Sequence, residues 1–199
     1  MGTYKITKIK FITELKDKNI ALFTSYDIQK IFDIKATSTL KKILERLKQD
    51  NIIQSLMKNK YLFLHTTHKP SDFATAQFLR TPSYISLESA LSYYGLVDQF
   101  PYRISSITST KSYSIQILSK IFIYSQVKKE YFRDYVKIDD FLIASRKKAV
   151  FDYLYFIFKG LRPANMIQPI IQKTKREKVL DYIYKNADLS FARFIKNHA

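Results

Sequence analysis

Residues 24–65 constrain the fold more than any other part of the chain. "TSYDIQKIF" opens with Thr24 or Ser25 ahead of Asp27, a capping signature, and continues with Ile28, Ile31 and Phe32 at i, i+3, i+4. "DIKAT" then interrupts the period. Thr37 or Ser38 can cap the next helix, whose Leu40, Ile43, Leu44 and Leu47 recur at i, i+3, i+4, i+7, with Lys41, Lys42, Glu45, Arg46 and Lys48 on the opposite face. "IIQSLMKNKYLFLH" follows as two β-rich runs around a basic turn. Upstream, residues 5–18 space Ile9, Ile12 and Leu15 among lysines and predict an earlier amphipathic helix, with "NIALFT" as a loop.

Three helices followed by a two-stranded hairpin is the order of a winged helix-turn-helix. The short link between the second and third helices sets them steeply against each other, so that the third can enter a major groove. In that pose Lys35, Thr37, Ser38 and Thr39 lie at the helix start, Lys41 and Lys42 lie one turn further on, and Arg46 adds affinity without sequence preference. Lys58 and Lys60 on the wing meet the phosphate backbone or the minor groove. Double-stranded DNA is the expected partner. No long heptad seam suggests a stable dimer, so a monomer is expected in solution. The competing reading keeps Leu40, Ile43, Leu44 and Leu47 as core and treats the lysines as a solvated face. Winged helices also serve as protein-docking modules and as stand-alone transcriptional regulators.

Charge points the same way without deciding. The formal charge is +17, from 34 basic against 17 acidic residues, which favours polyanionic partners. An A+T-rich coding sequence would give the same surplus of lysine over arginine whatever the function. Residues 1–69 hold 14 basic against 6 acidic residues and the remainder 20 against 11, so nearly half of the excess sits in the first third.

The chain has no cysteine, which excludes disulfides, zinc–thiolate sites and a cysteine nucleophile, and a cytoplasmic location is expected. The N-terminus lacks the continuous apolar stretch of a signal peptide. "YLYFIF" at 153–158 is far shorter than the roughly 18 residues that cross a bilayer, so no membrane partner is expected.

The fold class expected is α+β: a winged helix-turn-helix over 1–69, then a mixed α/β domain with a helical tail over 70–199, joined by a connection at about 66–82. "KPSDFATAQFLRTP" supplies that connection, with a short helix capped by Ser71 and Pro82 just past its end. "SYIS" reads as a strand, "LESALSYY" as a helix capped by Ser86 with Gly95 at the left-handed position behind it, and "YRISSIT" as a further strand. Ile115, Ile117, Ile121 and Ile123 alternate with polar residues ahead of a turn near "KIDD". "SRKKAVFDYLYFIF" predicts a helix capped by Ser145, apolar around most of its circumference and therefore buried, with Gly160 and Pro163 ending it. The tail from Pro169 to His198 holds two helical stretches and the basic cluster "KTKREK". From residue 146 onward there are 12 basic and 4 acidic residues, either a second anion-facing surface or a solubilising one. Tyr113, Phe122, Tyr124, Tyr131, Phe132 and Tyr135 either line a pocket or pack a core.

Catalytic patterns are missing from the sequence. His65 and His68, at i, i+3 on a strand, point to opposite faces and cannot chelate a metal together. Three glycines provide no phosphate cradle, and no Asp-x-Asp is present to hold magnesium. The only Glu-x-Lys, at 14–16, lies in the first helix with no aspartate before it. Neither enzyme activity nor a metal or cofactor is expected.

"PSYISLESALSYYGL" at 82–96, "ITST" at 107–110 and "IASRKKAVFDYLY" at 143–155 resemble the AbiEi family of antitoxins from abortive-infection toxin–antitoxin systems. The likeness spans most of the chain, since those proteins also begin with a winged helix-turn-helix, and between "ITST" and "IASRKKA" the match is loose. The resemblance implies two roles. The N-terminal domain represses the antitoxin–toxin operon by binding inverted repeats in its promoter, and the C-terminal domain opposes a nucleotidyltransferase-like toxin.

Overall fold

The computed structural model describes residues 6–98, 102–117, 119–174 and 176–199. The chain is mixed α+β and divides into two compact units, Met1–Leu79 and Arg80–Ala199. The boundary falls inside the expected connection but later than 69/70, because the helix after "HKPS" joins the first unit. Lys60 Nζ donates to the carbonyls of Phe78 and Leu79 and so ties the end of that helix to the hairpin.

The first unit runs α1 (Lys8–Asp17), β1 (Leu22–Thr24), α2 (Ser25–Ile31), α3 (Thr37–Gln49), β2 (Ile53–Met57), β3 (Lys60–Phe63) and α4 (Asp72–Leu79). The strands form one antiparallel sheet in the order β1-β3-β2. β1 lies in the stretch expected to be a loop. Three residues carry too little periodicity to announce a strand, and β1 exists because Leu22–Thr24 find partners on β3. Thr24 and Asp27 close the expected capping box on α2, with Asp27 N–H donating to Thr24 Oγ1 at 3.2 Å and Thr24 N–H donating to Asp27 Oδ2 at 2.7 Å. Ser71 caps α4, accepting from Ala74 N–H at 3.0 Å.

Phe11, Leu15, Phe23, Ile28, Leu40, Leu44, Leu47, Ile53 and Phe63 meet in one core. Phe11 stacks on Phe32 with centroids 5.6 Å apart and meets Phe23 and Phe63 edge-on. The core face of α1 is therefore Phe11 and Leu15. Ile9, expected on that face, is 79% exposed, because the aromatic cluster sets the rotation of the helix. With only three glycines in the chain, left-handed turn positions fall to Asn and Asp, including Asn19, Asp33, Asn51 and Asn59, whose short polar side chains tolerate positive φ.

The second unit contains β4 (Ser83–Ile85), α5 (Leu87–Tyr93), β5 (Arg103–Thr108), β6 (Tyr113–Ile117), β7 (Lys120–Gln126), β8 (Tyr135–Ile138), β9 (Phe141–Ala144), α6 (Arg146–Phe158), α7 (Ile167–Gln172), α8 (Arg176–Asn186) and α9 (Leu189–His198). One mixed sheet runs β6-β7-β5-β4-β9-β8, parallel at β5/β7 and β4/β9 and antiparallel elsewhere. α5 packs on β5, and α6 packs on α5 and β9. α6 is buried from Lys148 to Ile157, as its all-round apolar pattern predicts. Phe151 and Tyr155 of α6 meet Phe191 of α9 edge-to-face at 5.3 and 5.5 Å, and the tail folds as three helices where two were expected. Phe122, Tyr124 and Tyr131 are buried, so these three aromatic residues pack. Gly95, at φ 67, stands at the left-handed position expected after α5.

Beneath α6 lies a sealed polar cluster. Lys148 Nζ donates to Asp152 Oδ1, and Asp152 Oδ2 accepts from Ser86 Oγ at 2.7 Å and Tyr84 Oη at 3.0 Å. Burial pushes the Asp152 carboxyl up, against the opposing pull of the Lys148 ammonium and the two hydroxyls. The same burial, followed by the neighbouring carboxylate, raises the Tyr84 phenol. Ser86 stands at the N-cap of α5 as expected, but its hydroxyl makes no capping bond. Ser105 on β5 fills that role, its Oγ accepting from Ser89 N–H at 3.0 Å, and this leaves Ser86 to serve Asp152.

Candidate nucleic-acid interface

The candidate residues lie on α3, the turn leading into it and the β2–β3 hairpin. α3 buries Leu40, Leu44 and Leu47 and leaves Lys35, Thr37, Ser38, Thr39, Lys41 and Lys42 exposed. The residues of the polar stripe share the first two turns of the helix and the turn entering it. Its N-cap is Ala36, with no side-chain hydrogen bond, and neither Thr37 nor Ser38 caps as expected. The reason lies one step upstream. Asp33 turns the chain at φ 47 and Ile34 N–H returns to Gln29 O at 2.9 Å, so helical geometry starts at Thr37 itself. The hydroxyls of Thr37, Ser38 and Thr39 are left facing solvent, and the first backbone N–H groups of α3 have no side-chain acceptor.

Among the described residues, Lys35, Lys41, Lys42 and Lys58 carry no ion pair, whereas Lys8 pairs with Asp50, Lys18 with Glu14 and Lys48 with Glu45. Asp50, Glu14 and Glu45 therefore neutralise lysines at other positions. Four cations stay uncompensated on the α3 start and the β2–β3 turn, where a polyanion would be attracted.

Two further candidates are engaged inside the unit. Arg46 Nη2 donates to Ile6 O at 2.7 Å and holds the entry to α1 against α3. Lys60 serves the end of α4, its Nζ also 5.3 Å from the Phe78 ring. Periodicity could not separate these two from Lys41 or Lys58, because their acceptors are distant backbone carbonyls.

Two residues that sequence reasoning passed over lie beside the turn. Ser25 N–H donates to Asn59 O at 3.1 Å and so docks the first turn of α2 on the β2–β3 turn that carries Lys58. Tyr26 is exposed there, with Lys30 Nζ 4.5 Å over its ring. The signal was present: Tyr26 falls outside the face set by Ile28, Ile31 and Phe32.

Among the described residues no group of three or more His, Asp or Glu is placed to hold a metal, and no helix is long and apolar enough to cross a membrane. Comparison with known proteins finds no family model and no curated protein that matches the chain.

Proposed function

We propose that the first unit is a winged helix-turn-helix that binds double-stranded DNA, with α3 in the major groove and the β2–β3 turn as its wing. On this reading the chain is an autorepressing antitoxin of a toxin–antitoxin operon. The observation that carries the proposal is the set of lysines without ion pairs and of exposed hydroxyls at the start of α3, whose N-cap makes no side-chain hydrogen bond, while Lys8, Lys18 and Lys48 of the same unit find carboxylates. Open N–H groups and ammonium groups position the helix on phosphates, and Thr37, Ser38, Thr39, Lys41 and Lys42 supply donors and acceptors for base edges. Lys58 on the wing and Lys30 with Tyr26 on α2 add backbone contacts. Arg46 and Lys60 hold the scaffold together.

The antitoxin half rests on the resemblance stated above. Two of its motifs, "SYIS" and "RKKAVFD", meet in the Tyr84–Ser86–Lys148–Asp152 cluster, so the stretches that carry the likeness are also ones that organise the second unit. The partners are then inverted repeats in the operon's promoter, with two copies bound per site and a monomer off DNA, and a nucleotidyltransferase-like toxin opposed by the second unit in the cytoplasm.

Fluorescence anisotropy of the full chain against its own upstream region and a shuffled duplex tests the first half. A preference of at least about 10³-fold for the upstream region is expected. Equal affinity for both duplexes would reassign the first unit to protein docking. Co-expression with the adjacent reading frame tests the second half: relief of its toxicity is expected, and its absence removes the antitoxin role while leaving the DNA reading intact.

A further inference from the structure

The second unit holds a basic cavity that the reading above does not use. Arg146 and Lys147 open α6, Lys173 and Thr174 follow α7, and Lys178 with Val179 lies on α8; together they surround about 520 Å³, within the range of small-molecule pockets. Val179 is buried, while the four basic side chains are exposed. Thr174 Oγ1 donates to Ile171 O at 2.7 Å, which fixes the turn carrying Lys173. Lys173 Nζ lies 2.7 Å from Asp98 Oδ1, a carboxylate that is itself largely exposed. Arg146, Lys147 and Lys178 have no ion pair among the described residues.

A solubilising face spreads its charges over convex surface, where water separates them. Here four basic residues from three successive elements line one concavity, and of these four only Lys173 has an ion pair among the described residues. Gathering like charges around one concavity raises the local positive potential, which attracts an anion. The anion that fits is compact and carries several charges with oxygens on every side, so that a guanidinium fork and three ammonium groups engage it together. Duplex phosphates run in rows along a convex rod, which a cup does not embrace.

We infer that this cavity binds an oligophosphate, either the triphosphate chain of a nucleotide or a free inorganic triphosphate. Isothermal titration of the full chain with inorganic triphosphate is the test, with a nucleoside triphosphate as a second arm. Equal affinity for the two probes assigns recognition to the phosphates, and tighter nucleotide binding adds a contact to the base; both support the inference. Arg146→Gln combined with Lys178→Gln should weaken binding at least about tenfold, while Lys41→Gln with Lys42→Gln leaves it unchanged. The inference is overturned if the wild-type chain takes up no triphosphate, or if Lys137→Gln with Lys159→Gln, away from the cavity, costs as much as the cavity variant. Duplex binding that is lost in the cavity variant without any triphosphate uptake also overturns it, by making the surface a DNA contact. Because α3 variants do not enter the expected result, failure here is distinguishable from failure of the DNA reading.

Discussion

Lys148 and Asp152, one turn apart on α6, form an ion pair that is 1% and 0% exposed, with the second carboxylate oxygen closed by Ser86 and Tyr84. An ion pair out of water gains little net stability, because desolvation offsets the attraction. Removing one partner is far costlier, since the other charge stays buried and alone. The cluster joins α6 to β4 at a single register and so specifies how the helix lies on the sheet.

Asp152→Ala is therefore expected to destabilise the second unit by about 3–5 kcal/mol, whereas replacing both Lys148 and Asp152 by Met and Leu should cost much less. Urea unfolding followed by near-ultraviolet circular dichroism measures the two. Similar losses from the single and double replacements would show that the pair does not act as a unit.

At the proposed DNA surface the two kinds of contact separate by salt and sequence. Lys58→Ala should flatten the log–log salt dependence of binding by about 0.9 and weaken all duplexes alike. Thr39→Ala or Lys42→Ala should cost roughly 1–3 kcal/mol on the cognate promoter and little on shuffled DNA. Equal losses on both duplexes from every change would dismiss α3 as the reading element.

Arg46 lies on the same helix but hydrogen-bonds the Ile6 carbonyl. Arg46→Ala should lower the stability of the first unit by about 1–2 kcal/mol, with the salt slope of DNA binding unaltered. A slope reduced as far as in Lys58→Ala would place Arg46 on the phosphates instead.

Asp188 caps α9 through Phe191 N–H at 2.9 Å and accepts from Lys128 Nζ at 2.9 Å and Tyr131 Oη at 3.2 Å. The Lys128 hydrogen bond, ahead of the Phe191 N–H, holds this carboxyl below its usual range. A folded-state value below the unfolded one contributes stability at pH above about 3.9 that is lost as pH falls through the folded value. Asp188→Asn keeps a capping oxygen and removes the charge. Its melting temperature should lie below wild type at pH 7, with the gap closing in acid. A gap independent of pH would mean that the charge contributes nothing.

Periodicity and capping chemistry made most elements legible in the sequence. The Thr24–Asp27 box, the leucine stripe of α3, the hairpin around Lys58 and the buried α6 all follow from the spacing of neighbouring residues, and the structure has each of them. Such features depend on residues within a turn or two of one another, which is what a linear pattern records. Tertiary structure decided where the partner is remote along the chain. β1 is a strand because of β3, and Ile9 faces water because Phe11 stacks on Phe32. Ser86 turns to Asp152 because Ser105, from another strand, caps its helix. Lysine number is written in the composition, but whether a given lysine is free for a polyanion depends on which carboxylate or carbonyl the fold brings within hydrogen-bonding distance. For Lys60 that carbonyl belongs to a helix the hairpin does not contain, and for Lys41 none of the described residues provides one.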